Sequence, residues 1–202
     1  IRYRETALTA IQASLTGHLV LSTLHTNDAP SAVTRLLEME IASYLISSSL
    51  LASLGQRLVR KICPECRTNY YAPKEVLKTL ALDENKILQL FKGKGCSNCY
   101  DSGFKSRTGI YELLELDQGL QSLILNNPTV DEIHHYLYKN GHKTLKTLGY
   151  RKVIEGVTTI EEAPRTRQGA TGPLSSTTAP MQANARFMNA YCFRWVSRAS
   201  LT

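Results

Sequence analysis

The stretch LTGHLVLSTLHTND, residues 15–28, changes character twice. It opens around Gly17, runs through a nearly continuous apolar segment at 19–24, and closes on polar residues. A short apolar run of that kind predicts a strand buried on both faces by helices. Upstream, residues 5–16 place Leu8, Ile11 and Leu15 on one helical face. Gly17 then stands where a helix ends in the left-handed conformation that a side chain resists. Downstream, Asn27 or Asp28 can accept the free amides of a helix's first turn, Pro30 fits inside that turn, and Val33, Leu36 and Leu37 form its apolar face. Helix, strand and helix in this order predict an α/β layered fold.

The same reading extends along the chain. Residues 41–54 predict a helix, 56–62 a strand, and 108–116 a strand of partial alternation. From Asp117 onward the pattern is helical, at about 118–126, 130–139 and 143–154. Thr159 with Glu162 has the form of a capping box with no helix behind it. The apolar stretch at 41–54 is broken by serines, and nothing approaches the length of a membrane span.

The net charge of +7 suggests nucleic acid until its distribution is read. Every acidic residue lies at or before Glu162, where nineteen basic residues face seventeen acidic ones. Beyond it come five arginines, no lysine, the sole tryptophan (Trp195) and many Ala, Ser, Thr, Gly and Pro. The basicity therefore belongs mostly to residues 163–202, a tail of foreign composition that we expect to be disordered apart from a segment, 187–195, that could dock. No nucleic-acid partner is expected.

The most specific chemical signal is CPEC at 63–66 with CSNC at 96–99. Two residues between cysteines let both thiolates turn toward one ion, and two such knuckles complete a tetrahedral zinc site from Cys63, Cys66, Cys96 and Cys99. Unligated or disulfide-paired cysteines are the plainer alternative, disfavoured by the spacing in a chain with no sign of export. A DNA-reading finger would need histidines and a recognition helix that the spacer lacks. Two short helices, near 76–80 and 87–91, are expected inside this lobe.

His25, Thr26 and Asn27 follow the apolar run, and in open α/β sheets ligands bind beyond the carboxyl ends of strands. An imidazole, a hydroxyl and an amide there can approach phosphate or an attacking water; equally, such a histidine can be a satisfied structural group.

Residues 4–60, the cysteine pairs, and GFKSRTGIYE at 103–112 together resemble the type II secretion ATPase family, general secretion pathway protein E. Residues 15–28 look like that family's histidine box, with His18 and His25 at its two histidine positions. The resemblance covers residues 1–162. It implies a partial RecA-like ATPase domain (1–62), a four-cysteine zinc lobe (63–99), and last strands with carboxy-terminal helices (100–162). It also implies ATP with Mg2+ held between subunits of a homo-hexamer, inner-membrane secretion partners, and a cytoplasmic location peripheral to that membrane. His25 would act on the terminal phosphate, His18 would stand near it, Thr26 and Asn27 would contact nucleotide, and Arg2 would support the acidic strand. The family's Gly-Glu-Ile-Arg-Asp stretch is entered here only at its third residue, Ile1, and Tyr3 stands where its aspartate belongs. No G-x-x-x-x-G-K-[ST] cradle for phosphate occurs in the sequence. A truncated or frame-shifted copy, inactive by itself, is therefore expected. The motor that extends type IV pili shares these motifs, and a non-catalytic zinc-bearing interaction module is the reading from another class.

Arg57, Arg60, Lys61 and Arg67 either form a solvated face or reach a neighbouring subunit's phosphates, as intersubunit arginines of that family do. His134 and His135 are adjacent on an expected helix, point about 100° apart, and cannot share a metal.

Overall fold

Helix α1, Arg4–Leu15, ends as its glycine requires. Gly17 takes φ +97° while its N–H donates to Ser14 O and the His18 N–H to Ala13 O, which pairs two carbonyls the helix would otherwise leave open. Its buried face is Ala7, Ile11 and Ser14, whereas Leu15 lies half exposed. These coordinates form a computed structural model that describes residues 1–163 and a strand at 193–195.

Strand β1, Val20–Ser22, departs from the expectation of burial on both faces. Leu19 and Leu21 are 52% and 59% exposed, Val20 is only partly buried against the core, and full burial comes with Leu24, beyond the strand. Continuous apolarity reports what a strand can bury, and among the described residues nothing covers that side. Helix α2, Ser31–Glu38, follows, with Asp28 as its cap: Asp28 Oδ1 accepts from the Ser31 N–H at 2.9 Å. Ala32, Val33 and Leu36 seat the helix in the core.

The expected helix at 41–54 is shorter than its apolar run. Helix α3 is Ser43–Ser49, Leu50 is already extended, and strand β2, Ala52–Ile62, begins before the expected residue 56, inside the stretch read as helix. Its partner is strand β5, Phe104–Glu115, and the antiparallel ladder from Ala52↔Glu115 to Ile62↔Phe104 is irregular between Arg60 and Ile62. Residues 50–55 read locally as either element; pairing with a distant strand, Ala52 with Glu115 and Gly55 with Glu112, decides between them. Between these strands lies a lobe of strand β3, Arg67–Tyr71, helix α4, Lys74–Thr79, and strand β4, Gln89–Gly93. The second expected helix of the lobe is thus a strand: Leu90 is fully buried between exposed Gln89 and half-buried Phe91, and the segment pairs with β3.

Helices α5, Gln118–Leu125, α6, Val130–Lys139, and α7, Leu145–Ile154, agree closely with expectation because each carries its own start signal. Asp117, Thr129 and Thr144 accept the N–H groups of Leu120, Glu132 and Thr147. The main core joins α1, α2, α3, α5 and α6 with the end of β5. A second cluster packs the lobe on α7 through Leu80, Leu90, Val153 and Ala163. The capping box expected at Thr159 and Glu162 does not form. Glu162 turns to Arg60, accepting from its backbone N–H at 3.1 Å and its guanidinium at 2.7 Å, because β2 offers it a cation and a free amide.

The strands pair antiparallel, two at a time: β2 with β5, β3 with β4, and β1 with strand β6, Phe193–Trp195. Apart from β6, the expectations for residues 163–202 lie outside the described residues beyond Ala163. Among the described residues no helix is long and apolar enough to cross a membrane.

Candidate functional site

The four cysteines arrive from two turns that the β-strands hold side by side. The first turn follows the end of β2 and the second precedes β5; the Cys63 N–H donates to Gly103 O and the Lys94 N–H to Cys66 O. Gly93 and Gly103 meet where neither could carry a Cβ, since one built on Gly93 would lie 2.1 Å from Gly103 O. The second turn coils through Ser97–Cys99 and reverses with Tyr100 and Asp101 at φ +50° and +58°.

The Sγ atoms all lie within 4.8 Å of one another, and no other such group of metal-binding side chains occurs among the described residues. Cys63 to Cys96 is 3.9 Å, Cys66 to Cys99 3.8 Å, and Cys96 to Cys99 3.5 Å. A tetrahedron of thiolates about 2.3 Å from zinc has edges of about 3.8 Å, so the donors fit that ion. They fit disulfides poorly, where sulfurs approach to about 2 Å. Burial holds the Cys96 thiol up at about 12, and a hydrogen bond with Cys99 adds to the effect. Burial opposes ionisation of Cys99 as well, but donation from the Cys96 N–H, at 3.2 Å, and the neighbouring thiols outweigh it and bring Cys99 to about 7. The cluster thus already contains one thiol poised to become a thiolate ligand.

The second site lies at the far end of β1. An open cleft of about 390 Å³ is lined by Ile1, Arg2, Tyr3, Leu24, His25 and Arg35. Arg35 projects from α2 and pairs with Glu38 at 3.0 Å. The amino group of Ile1 donates to Thr23 O, which lays the first residues beside the strand end. Two guanidiniums and an imidazole on one wall form a site for an anion with several oxygens, such as phosphate. The lining holds no carboxylate, so the magnesium that the resemblance implies finds no carboxylate ligand there among the described residues.

Of the expected residues, the structure brings Arg2 and His25 together. His18 stands apart near the end of α1, its Nδ1 3.1 Å from Thr16 Oγ1 and 3.3 Å from Ala13 O. Thr26 donates its hydroxyl to Asp28 O at 3.0 Å, and neither it nor Asn27 lines the cleft. The arginine group disperses: Arg60 pairs with Glu162 and stacks on Phe104, Arg67 stacks on Phe91 at 3.7 Å, and Arg57 donates to Asn27 O at 3.3 Å. His134 lies 3.8 Å from Asp28 Oδ2, while His135 is exposed.

Sequence reasoning missed Arg35, Glu112 and His142. Glu112 had a signal: it shares its strand face with Ile110 and Leu114, so an acid stands where period-two alternation demands burial. Arg35 and His142 lacked one, since nothing local marks which face of a helix or turn will meet a distant strand.

The family model described as Type II/IV secretion system protein matches residues 1–165. The chain is 48% identical to Type II secretion system protein E of Pseudomonas aeruginosa over 165 residues, covering 82% of this chain and 33% of that protein. It is 46% identical to Type II secretion system ATPase E of Vibrio cholerae, again over 82% of this chain and 33% of the relative. Against Type IV pilus assembly ATPase PilB of Thermus thermophilus the identity is 43%, over 80% of this chain and 18% of that protein. The chain therefore spans about a third or less of the length of these relatives.

Proposed function

Because the chain belongs to the Type II/IV secretion system protein family, we propose that it works as the carboxy-terminal part of a RecA-like, hexameric ATPase that powers type II secretion. The observation that carries this reading is the match through residues 1–165, which spans the strand-end cleft and the cysteine cluster alike. Secretion is preferred to pilus extension on identity, 48% against 43%, and the pilus motor remains the second reading because its relatives match over the same region.

In this reading ATP lies between subunits, with its terminal phosphate toward the cleft. Arg2 and Arg35 offer guanidinium donors to phosphate oxygens, and His25 orients the attacking water or holds charge on the phosphate. Thr26 and Asn27 shape the loop behind His25, and His18 fixes the strand's entry. The phosphate cradle and the ligands for Mg2+ come from outside residues 1–202, so the chain alone does not hydrolyse ATP. Cys63, Cys66, Cys96 and Cys99 hold Zn2+, whose role is to staple the lobe rather than to react. The assembly sits on the cytoplasmic face of the inner membrane, bound to the secretion machinery.

The test grafts residues 1–162 into the P. aeruginosa relative in place of its matching third. We expect the graft to hydrolyse ATP and restore secretion in a strain lacking that protein, while the 202-residue chain alone does neither. A folded graft without ATPase activity would overturn the reading, and a graft that restored pili but not secretion would hand it to the pilus motor.

A further inference from the structure

Glu112 is 1% exposed, in the middle of β5, and it is the only buried carboxylate among the described residues. Burying an ionised carboxylate is expensive unless each oxygen is paired. Both are. Oε2 accepts the Ala29 N–H at 3.2 Å, and Oε1 lies 3.1 Å from His142 Nε2. A carboxylate only accepts, so that imidazole nitrogen carries the proton and donates. Room for the carboxylate comes from Gly55, opposite Glu112 in the ladder, where an added Cβ would stand 3.2 Å from Ala29 N and 3.5 Å from Glu112 Oε2.

What Glu112 holds is the loop that follows His25. The other half of the Ala29 peptide is held too, since Ser53 Oγ donates to Ala29 O at 2.9 Å. Arg57 donates to Asn27 O, two residues earlier. Residues 27–29 therefore hang from the β2–β5 ribbon by three main-chain atoms. His142 belongs to the turn between α6 and α7, so the same carboxylate also joins that loop to the carboxy-terminal helices.

We infer that Glu112 is a positioning residue: its carboxylate fixes Ala29, and through His142 the α6–α7 turn, so that His25 is presented to the cleft in one geometry. The inference rests on the proposed role of His25, but its structural half does not. A site residue on a loop is useful only if the loop's backbone is held from behind, and here hydrogen bonds to Asn27 and Ala29 add direction to the apolar packing of Leu24 and Ala29 in the core.

The test has two readouts. In the 202-residue chain, Glu112→Ala should raise amide hydrogen exchange at Ala29 at least tenfold relative to the α5 and α6 amides, whereas Glu112→Gln, whose carbonyl still accepts from Ala29 and whose NH2 can donate to His142 in its other tautomer, should stay within threefold. In the grafted ATPase, Glu112→Ala should lower kcat about tenfold with KM for ATP within twofold, and Glu112→Gln should recover most of it. His142→Phe, which keeps a ring but loses the hydrogen bond, should move both readouts the same way by a smaller factor, and it carries the test if Glu112→Ala does not fold. Unchanged exchange at Ala29 in Glu112→Ala, or in His142→Phe where that variant alone folds, overturns the inference. So does equal damage from Gln and Ala. If His25→Ala leaves turnover intact, the role of His25 fails while exchange at Ala29 still decides whether Glu112 holds the loop.

Discussion

The cysteine cluster and the strand-end cleft sit in one chain and are built on opposite plans. Every donor of the cluster lies within residues 63–99, three of its four thiols are buried, and the sulfurs are already near tetrahedral spacing. The cleft is open, its histidine is exposed, and its two guanidiniums and its imidazole come from the chain's first residues, a helix and a strand end. The difference follows from the ligands proposed for them. A metal ion saturates its coordination with four side chains and needs nothing further, whereas a triphosphate spreads charge over many oxygens and needs a cradle of amides with a second wall. On the proposed reading the cluster is thus complete within this chain, and the cleft is one half of a site.

Breaking the cluster should have the largest effect. Structural zinc in small domains contributes about 10–16 kcal/mol of apparent binding free energy that appears as folding free energy. Cys96→Ser should therefore lose the ion and unfold chiefly residues 63–99, leaving the α1–α3 and α5–α6 core protected. One zinc per wild-type chain by elemental analysis, and loss of exchange protection confined to the lobe in the variant, are the expected results; wild-type protein purified without chelator and free of zinc would contradict them. Breaking the cleft should act on turnover instead. In the grafted ATPase, His25→Ala should lower kcat roughly a hundredfold, with the melting temperature shifted by about a degree or two at most, as for an exposed side chain. His18→Ala should do less to turnover. Full activity in His25→Ala together with lost stability would make this histidine structural.

The smallest effect sharpens the boundary between the two regions. Burial disfavours the Glu162 carboxylate, but hydrogen bonds from the Arg60 guanidinium and backbone N–H outweigh it and hold its pKa below the usual glutamate range. A depressed carboxyl contributes stability above the unfolded value of about 4.3 and loses it as pH falls through the lower folded value. Because Arg60 is half exposed, at 48%, the pair is worth about 1 kcal/mol or less. Protection of the 157–163 amides relative to their intrinsic exchange rates should fall below about pH 4, and in Glu162→Gln it should be low at every pH. An identical acid response in the variant would show that another group carries it.

Local chemistry made much of this legible. The helices at 4–15, 118–125, 130–139 and 145–154 were readable because each has its own cap or glycine stop, and the cysteine cluster because two turns with fixed spacing leave little else to build. The 50–55 and 87–93 segments misled because a short apolar run fits helix or strand until a distant partner supplies the ladder. Arg35 reached the cleft, and Glu112 found Ala29 and His142, only through tertiary structure. The sequence by itself determined where the helices with their own cap or glycine stop begin and end, and which side chains can bind a metal, since those depend on atoms within a few residues. Which strand pairs with which, which carboxylate is buried, and what stands behind His25 were decided by contacts across tens of residues, because hydrogen bonds and burial at that range are settled only when the whole chain has closed.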